Sequence, residues 1–296
     1  MRSAFVFEGG GMELTLRPGR PEDAEECGRI CFEAFHAVAT EHGFPSDFTG
    51  VEEGVGVCSA LLSHPGFYAV VAEADGRIVG SNFLDERSAI AGVGPITVDP
   101  AVQNGRIGRS LMLDVMQRAR EREFIGTRLL QSGYHNRSLS LYAKLGFDAR
   151  DTLAAMQGTP LGEEVAGFAV RAATDEDAEA CNALCRRVHG HDRGGELGDA
   201  IGQKTARVVE REGRITGYTT GVAFFGHSVG ETNEDLQALI AAAEQFGGPG
   251  FLVPIRNAEL FRWCLERGLR VVQLMTLMRV GFYQEPSGSW MPSILY

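Results

Sequence analysis

An internal repeat is the feature of this 296-residue chain that most constrains its fold. Residues 14–31 (LTLRPGRPEDAEECGRIC) and residues 168–185 (FAVRAATDEDAEACNALC) align without gaps and share seven of eighteen residues. Each segment has a short alternating apolar stretch, a turn and an acidic helix start, and acidic side chains in a first helical turn favour the positive end of the helix dipole. The repeat therefore predicts two copies of one strand, turn and helix unit.

Two later pairs of segments extend the repeat. Residues 67–83 (FYAVVAEADGRIVGSNF) and residues 206–220 (ARVVEREGRITGYTT) each have a strand pattern, a Gly-Arg turn and a second strand pattern, which is typical of a hairpin. Residues 136–147 and residues 257–269 form the third pair. The order of the segments is the same in both halves, so we predict two domains of the same fold in tandem.

The domain limits that follow are a flexible leader at 1–12, an N-terminal domain at 13–158 and a C-terminal domain at 168–296. A hydrophobic fraction of 44% and a charged fraction of 23% exclude a disordered or low-complexity chain. The length is about twice that of a common single domain, which agrees with the division.

Charge and apolar runs exclude several kinds of partner. A formal net charge of −11 disfavours general binding to nucleic acid or to an anionic membrane surface. No apolar run is long enough for a membrane span or a signal peptide, so we expect a cytoplasmic protein. The six cysteines form no CxxC pair, and His189 and His191 lack spaced third and fourth ligands, so we predict no metal site.

One loop carries the first chemical signal. A predicted strand at 92–98 leads through DPAVQNG into a predicted amphipathic helix that starts at Ile107. The N–H groups at a helix N-terminus bind anions, and glycines in the loop let a ligand approach the backbone. Arg106 and Arg109 add positive charge, although a plain strand-to-helix turn with solvated arginines is the alternative.

A second motif follows a predicted strand at 126–131. Asn136 is placed to cap a helix in which Leu139 and Tyr142 recur at helical spacing, and Gly146 is placed to end it. The ITVDPAVQ segment, the QNGRIG loop and the N-x5-Y-x3-GF segment together resemble the GNAT superfamily of acyl-CoA-dependent N-acetyltransferases. The resemblance extends from Leu14 to about Gln157.

The resemblance implies an α/β (α+β) fold of two tandem GNAT-like domains, each a mixed, mostly antiparallel twisted sheet flanked by helices. It also implies acetyl-CoA as co-substrate and a small-molecule or peptide amine as acceptor. The CoA pyrophosphate would lie on the loop and the first helical turn, which comprise Gln103, Asn104, Gly105, Arg106, Ile107, Gly108, Arg109 and Ser110. The strand backbone at Ile96, Thr97 and Val98 would hold the pantetheine and the thioester carbonyl.

The same resemblance assigns roles in the second motif. Asn136 would contact the pantetheine arm, and Tyr142 would act as general acid toward the departing thiolate. A phenol with a pKa near 10 can donate a proton at neutral pH. The alternative is that Tyr142 is simply a core aromatic residue.

The loop departs from the family pattern at one position. Arg106 stands where the family has its first glycine, with Gly105 just before it. An arginine at a positive φ is strained by about 1 kcal/mol or more. Either the loop shifts by one residue or CoA binding is weakened, and we expect binding to be retained.

The general base is less well defined by the sequence. Asp85 and Glu86, at the end of the second hairpin strand, are the nearest carboxylates, followed by His135 and His42. A solvated loop side chain is the alternative for each of them.

The C-terminal copy lacks the chemical residues. Cys264 stands where the tyrosine is expected, and Glu231, Glu234 and Asp235 stand where a phosphate would need positive charge. We therefore predict a non-catalytic C-terminal domain and an N-acetyltransferase whose acceptor is a primary amine, with an acidic rim that suggests a cationic acceptor. A non-catalytic acyl-CoA sensor or regulatory protein is the alternative function.

Overall fold

A computed structural model describes residues 3–4, 14–103 and 106–296. The chain divides into two compact units. The first runs to Glu86 and resumes from 91 to 127, and the second comprises 87–90 and 128–296. Apart from residues 3–4, the predicted leader lies outside the described residues, as do Asn104 and Gly105.

The first unit is an antiparallel sheet with helices. Its described elements are β1 (Ser3–Ala4), β2 (Leu14–Pro18), α1 (Ala24–His42), α2 (Val51–Ser63), β3 (Phe67–Ala74), β4 (Arg77–Asp85), β5 (Ile90–Val93), β6 (Thr97–Val98) and α3 (Ile107–Glu121). Strands β1 to β5 are neighbours in sequence order, and β6 also pairs with β4. The pairings from β1 through β5 are antiparallel.

The second unit contains the remaining elements. They are β7 (Gly126–Ser132), α4 (Asn136–Lys144), β8 (Asp148–Gln157), β9 (Ala169–Ala172), α5 (Ala178–His189), α6 (Gly194–Gly202), β10 (Arg207–Arg211), β11 (Arg214–Thr219), β12 (Ser228–Gly230), α7 (Asn233–Ala241), β13 (Phe251–Pro254), α8 (Ala258–Glu266), β14 (Arg270–Gly281) and β15 (Ser289–Met291). One run of strands has the order β7-β14-β8-β13, and a separate sheet has the order β15-β12-β11-β10-β9. The mixed, mostly antiparallel fold class is confirmed.

Strands of the two sequence copies alternate in the first of these runs. Strand β14, from the C-terminal copy, lies between β7 and β8 of the N-terminal copy, and β8 lies between β14 and β13. The β8–β14 ladder is long and antiparallel, from Arg270 opposite Gln157 to Arg279 opposite Asp148. A boundary at residue 158 therefore separates strands that share one sheet.

The repeated residues build the same local structure in both copies. Arg17 donates to Asp23 at 2.7 Å and to Glu73 at 2.8 Å, and Arg171 makes the corresponding bonds to Asp177 and Glu210. Each network fastens a strand to the start of the following helix and to the neighbouring strand. The Arg and Asp of the repeat are thus explained by structure.

The predicted hairpins are present in both copies. Asp75-Gly76 and Glu212-Gly213 are the two-residue turns, and all four residues have a positive φ, as a type I′ turn requires. The register of each hairpin shifts at the same distance from the turn, between Ala72 and Glu73 and at the corresponding place in the second copy.

Candidate active site

The strand predicted at 92–98 is interrupted in the structure, which corrects that prediction. Val93 pairs with Leu84 and Thr97 pairs with Ser81. Between these two pairs the chain advances by four residues on one side and by only three on β4. The extra residue makes a bulge between β5 and β6, and Ile96 lies in it, just before Thr97 and Val98. A bulge re-aims backbone groups away from the ladder, so this segment can offer them to a ligand.

Gln103, in the loop after β6, contacts the end of that strand. Its side-chain Nε2 donates to the carbonyl of Val98 at 3.4 Å. Arg106 then adopts a left-handed backbone conformation with φ of +64° at the N-cap of α3. Arg106 thus has the positive φ for which the family uses glycine, at a cost of roughly 1–2 kcal/mol.

The N-terminus of α3 has the features of an anion site. The side chain of its N-cap residue, Arg106, makes no capping hydrogen bond, and its first turn contains no acidic residue. The first helical N–H groups have no partner within a helix, and Ser110 is the residue whose N–H reaches the carbonyl of Arg106, at 3.0 Å. The amides of Ile107, Gly108 and Arg109 are therefore the groups that a phosphate would take.

The two carboxylates proposed as bases differ in their surroundings. Arg118 holds Glu86 in a forked pair, with Nε 2.7 Å from Oε1 and Nη2 3.0 Å from Oε2. Asp85 is buried at the end of β4 and pairs in register with Gly92 of β5. Asp85 ends β4 and Glu86 directly follows it, so both carboxylates remain candidates for the base.

The two histidine candidates are held by local structure. Nδ1 of His42 lies 2.9 Å from the carbonyl of Val38, one turn earlier in α1. His135 is the N-cap residue of α4.

Sequence reasoning missed the polar contacts of α3 with β3. The hydroxyl of Tyr68 donates to Asp114 at 2.8 Å, and the guanidinium of Arg118 lies 5.0 Å from the centre of the Tyr68 ring. Burial raises the pKa of Asp114. The charges of α3 had been interpreted only as its solvent face, and no pattern in the sequence pairs them with a tyrosine on a distant strand.

The second unit holds the other motif. Tyr142 is buried on α4, with its ring edge-on to Phe147, and burial raises the pKa of its phenol. It therefore keeps its proton at neutral pH, as a general acid must. Asn136 is the first residue of α4 rather than its cap, because His135 takes the cap position, which corrects the sequence prediction. Its side chain is exposed.

The corresponding positions of the C-terminal copy are filled by the chain itself. At the start of α7, Thr232 and Asp235 form a capping box, and Asp235 is fully buried. Glu231 accepts hydrogen bonds from Arg187, Arg211 and Arg214. The N-terminus of α7, where an anion would bind, is thus already occupied by the carboxylate of Asp235.

The second motif is also altered in that copy. The side chain of Asn257 caps α8 by accepting from the N–H of Leu260, and it donates to Asn233. Cys264 is buried in the core, and burial raises the pKa of its thiol to about 12. Asn257 keeps the residue type of Asn136 but uses its side chain as a cap, and Cys264 has no phenol to donate a proton in place of Tyr142.

Two searches for other features gave negative results within the described residues. None of the helices there combines the length and apolarity needed to cross a membrane. No group of three or more His, Cys, Asp or Glu residues in those parts of the chain is arranged to hold a metal ion.

Comparison with family models identifies residues 65–149 as an acetyltransferase (GNAT) domain. This match runs from just before β3 to the start of β8, and so includes the bulge, the loop and Tyr142. The GNAT resemblance seen in the sequence is confirmed. A comparison with curated proteins gave no match.

Solved structures extend the likeness in fold over nearly the whole chain. A protein from Pyrococcus horikoshii assigned to the acetyltransferases superposes with a TM-score of 0.73 at 18% identity, over 98% of this chain and 95% of that one. A GCN5-related N-acetyltransferase from Sphaerobacter thermophilus gives 0.61 at 15% identity, over 92% and 96%. A tandem GNAT protein from the clavulanic acid biosynthesis pathway gives 0.53 at 16% identity, over 95% and 100%. These likenesses show that the chain has the tandem GNAT fold.

Proposed function

We propose that the chain is an N-acetyltransferase that moves an acetyl group from acetyl-CoA directly to a primary amine. The observation that carries this proposal is the uncapped N-terminus of α3, which follows the β5–β6 bulge and Arg106 inside the matched domain. An acetyl-CoA pyrophosphate would take the amides from Ile107 to Arg109. Arg106 and Arg109 would add attraction at close range.

The residues of the chain then divide the chemistry. Backbone N–H groups of the bulge and of β6, from Ile96 to Val98, would stabilise negative charge on the thioester oxygen as the amine nitrogen attacks its carbon. The C–N bond forms, the C–S bond breaks, and Tyr142 gives its proton to the departing sulfur. The amine loses a proton to a base, for which Asp85 and Glu86 are the candidates. Asn136 would hold the pantetheine arm.

The test of this proposal is release of the CoA thiol in the presence of amines. The purified protein is mixed with acetyl-CoA and a panel of primary amines, and free thiol is followed with a thiol-reactive dye. We expect thiol release that depends on the amine, with one acetylated amine formed for each thiol. Calorimetric titration with acetyl-CoA on the same sample measures binding separately.

The same experiment decides the alternative function. Arg106 strains the loop, and the second copy lacks the chemical residues, and both observations favour a non-catalytic acyl-CoA sensor. A sensor binds acetyl-CoA but releases no thiol with any amine. Absence of both binding and release would contradict the enzyme and the sensor alike.

A further inference from the structure

A cluster of buried charged and aromatic side chains lies in the second unit, outside the residues assigned above. Arg128 on β7 is 1% exposed. Arg193 and Glu196, at the start of α6, and His227, before β12, are buried beside it, and the pKa of Arg128 responds to the charge of Arg193. The ring of Tyr296 lies against both guanidiniums, 3.9 Å from that of Arg128 and 4.6 Å from that of Arg193.

The carboxylate of this cluster is already in use. Glu196 accepts from Nε of Arg193 at 2.9 Å, from Thr220 at 2.9 Å, and lies 2.9 Å from Nδ1 of His227. Burial opposes its charge, but the ion pair with Arg193 and the hydrogen bond with His227 outweigh this and lower the pKa of Glu196, which stays ionised. Glu196 therefore balances Arg193.

The nearby imidazoles are neutral and do not change the charge balance of the cluster. Burial lowers the pKa of His227, of His189 and of His191, the last to about 3. All three rings are neutral at pH 7. The charge of Arg128 is thus left without a counterpart among the described residues.

Arg128 itself is held by rings but not by hydrogen bonds. Its Nε and Nη2 are buried and have no hydrogen-bond partner in the described parts of the chain. Tyr283, 5.1 Å away, flanks the guanidinium together with Tyr296. Burial and the nearby Arg193 lower the pKa of Arg128 to about 9, so it is still charged at neutral pH. Stacking on two rings offsets part of the cost of burying a charge, but it does not replace the ion pair and hydrogen bonds that a buried guanidinium needs.

We propose that Arg128 anchors a binding site for a small ligand that bears a carboxylate. A guanidinium presents two parallel N–H groups to the two oxygens of a carboxylate, and its Nε and Nη2 form such a fork. The buried hydroxyl of Tyr283 also lacks a partner within the described residues and is a further donor nearby. The ligand supplies the missing negative charge.

The charge balance favours a carboxylate over a phosphate. Of the two guanidiniums on the Tyr296 ring, that of Arg193 is already matched by Glu196. A single positive charge is neutralised by a monoanion, whereas a phosphate dianion would leave one negative charge buried without a partner. Leu130 projects from the same face of β7 as Arg128 and packs with Trp290 and Tyr296, so the ligand meets an apolar wall as well.

The test uses matched acids and amides with the unliganded protein. Glycine, leucine and phenylalanine are each compared with their carboxamides for the rise in Tm that they produce at equal ionic strength. We expect the acids to raise Tm by several degrees and the amides to leave it unchanged, because binding to the folded state alone stabilises it. No rise with any of the acids, or equal rises with acids and amides, overturns the proposal.

Two variants separate ligand binding from a structural role. Arg128→Met removes the unpaired charge but keeps a long apolar side chain, so we expect a Tm without ligand at least as high as that of the wild type, and no response to the acids. Arg150→Met is the control, because Arg150 also lies over the Tyr283 ring, at 5.4 Å, but is exposed and paired with Asp148. It should respond as the wild type does. A large fall in Tm for Arg128→Met, with an unchanged response to the acids in any folded fraction, would mean that Arg128 is structural.

Discussion

Two helix N-termini occupy corresponding places in the two copies and differ in what fills them. At α3 the N-cap side chain, Arg106, makes no capping hydrogen bond, and Arg106 is strained into a left-handed conformation. At α7 Thr232 and Asp235 satisfy the helix end, and α7 carries two acidic residues in its first turn. The first arrangement is less stable by itself and favours an anion at the helix end, whereas the second is more stable and disfavours one.

The structural residues of the repeat behave in the opposite way. The Arg17–Asp23–Glu73 network and its counterpart around Arg171 are the same in partners and nearly the same in distance. The differences between the copies therefore fall on the residues that would touch CoA, and the similarities fall on those that fasten strands to helices.

The largest effect is expected from placing a carboxylate at the open helix end. Gly108→Glu puts a negative charge into the first turn of α3, where a pyrophosphate would bind, and should weaken acetyl-CoA binding by roughly a hundredfold or more. Isothermal titration measures the affinity. Gly198→Glu is the matched control, because Gly198 is an exposed helical glycine of α6 with open space around a Cβ. Unchanged affinity in Gly108→Glu would remove the phosphate from this loop.

Tyr142 offers the next test, because Cys264 replaces it in the second copy. Tyr142→Phe removes the proton donor but keeps the ring against Phe147, so kcat should fall by roughly a hundredfold while acetyl-CoA affinity stays nearly constant. Steady-state thiol release and titration give the two values. Cys264→Ala in the core of the other copy should leave kcat unchanged. An equal loss of affinity and kcat in Tyr142→Phe would assign the tyrosine to packing.

Much of the difference between the two copies could be predicted from the sequence, because it depends on residues close together in the chain. The repeat, the hairpins, the loop and the missing tyrosine are patterns within short segments. The alternation of β8 and β14 was not accessible, since an apolar strand does not encode which neighbour it pairs with. Arg128 was passed over for the same reason. It stands in an apolar strand run, and only the packing of residues far along the chain shows that its charge is buried without a carboxylate.

A smaller effect is expected from relaxing the strained residue. Arg106→Gly removes a cost of roughly 1–2 kcal/mol for a left-handed side chain but restores chain entropy to the unfolded state, so the free energy of unfolding should rise by up to about 1 kcal/mol. Denaturant unfolding measures it. Lys204→Gly is the control in the second copy, since Lys204 has a φ of +63°. Acetyl-CoA affinity should fall a few-fold in Arg106→Gly alone, because only Arg106 stands at a phosphate loop.

The smallest effect is expected from the two Arg–Asp networks. The pH dependence of the free energy of unfolding tests whether they contribute equally to stability. Arg171 holds the pKa of Asp177 at about 2, and Arg17 likewise lowers the pKa of Asp23. A carboxylate whose pKa is lower in the folded state stabilises the protein above its unfolded pKa, near 4, and this contribution is lost as the pH falls toward 2. Asp177→Asn and Asp23→Asn should therefore each destabilise the protein at pH 6, by similar amounts, and the difference from the wild type should shrink between pH 4 and pH 2.

Urea unfolding at a series of pH values gives the differences in the free energy of unfolding. If one variant kept a constant difference down to pH 2, its network would act through packing rather than charge, and the two copies would differ in structure as well as in chemistry.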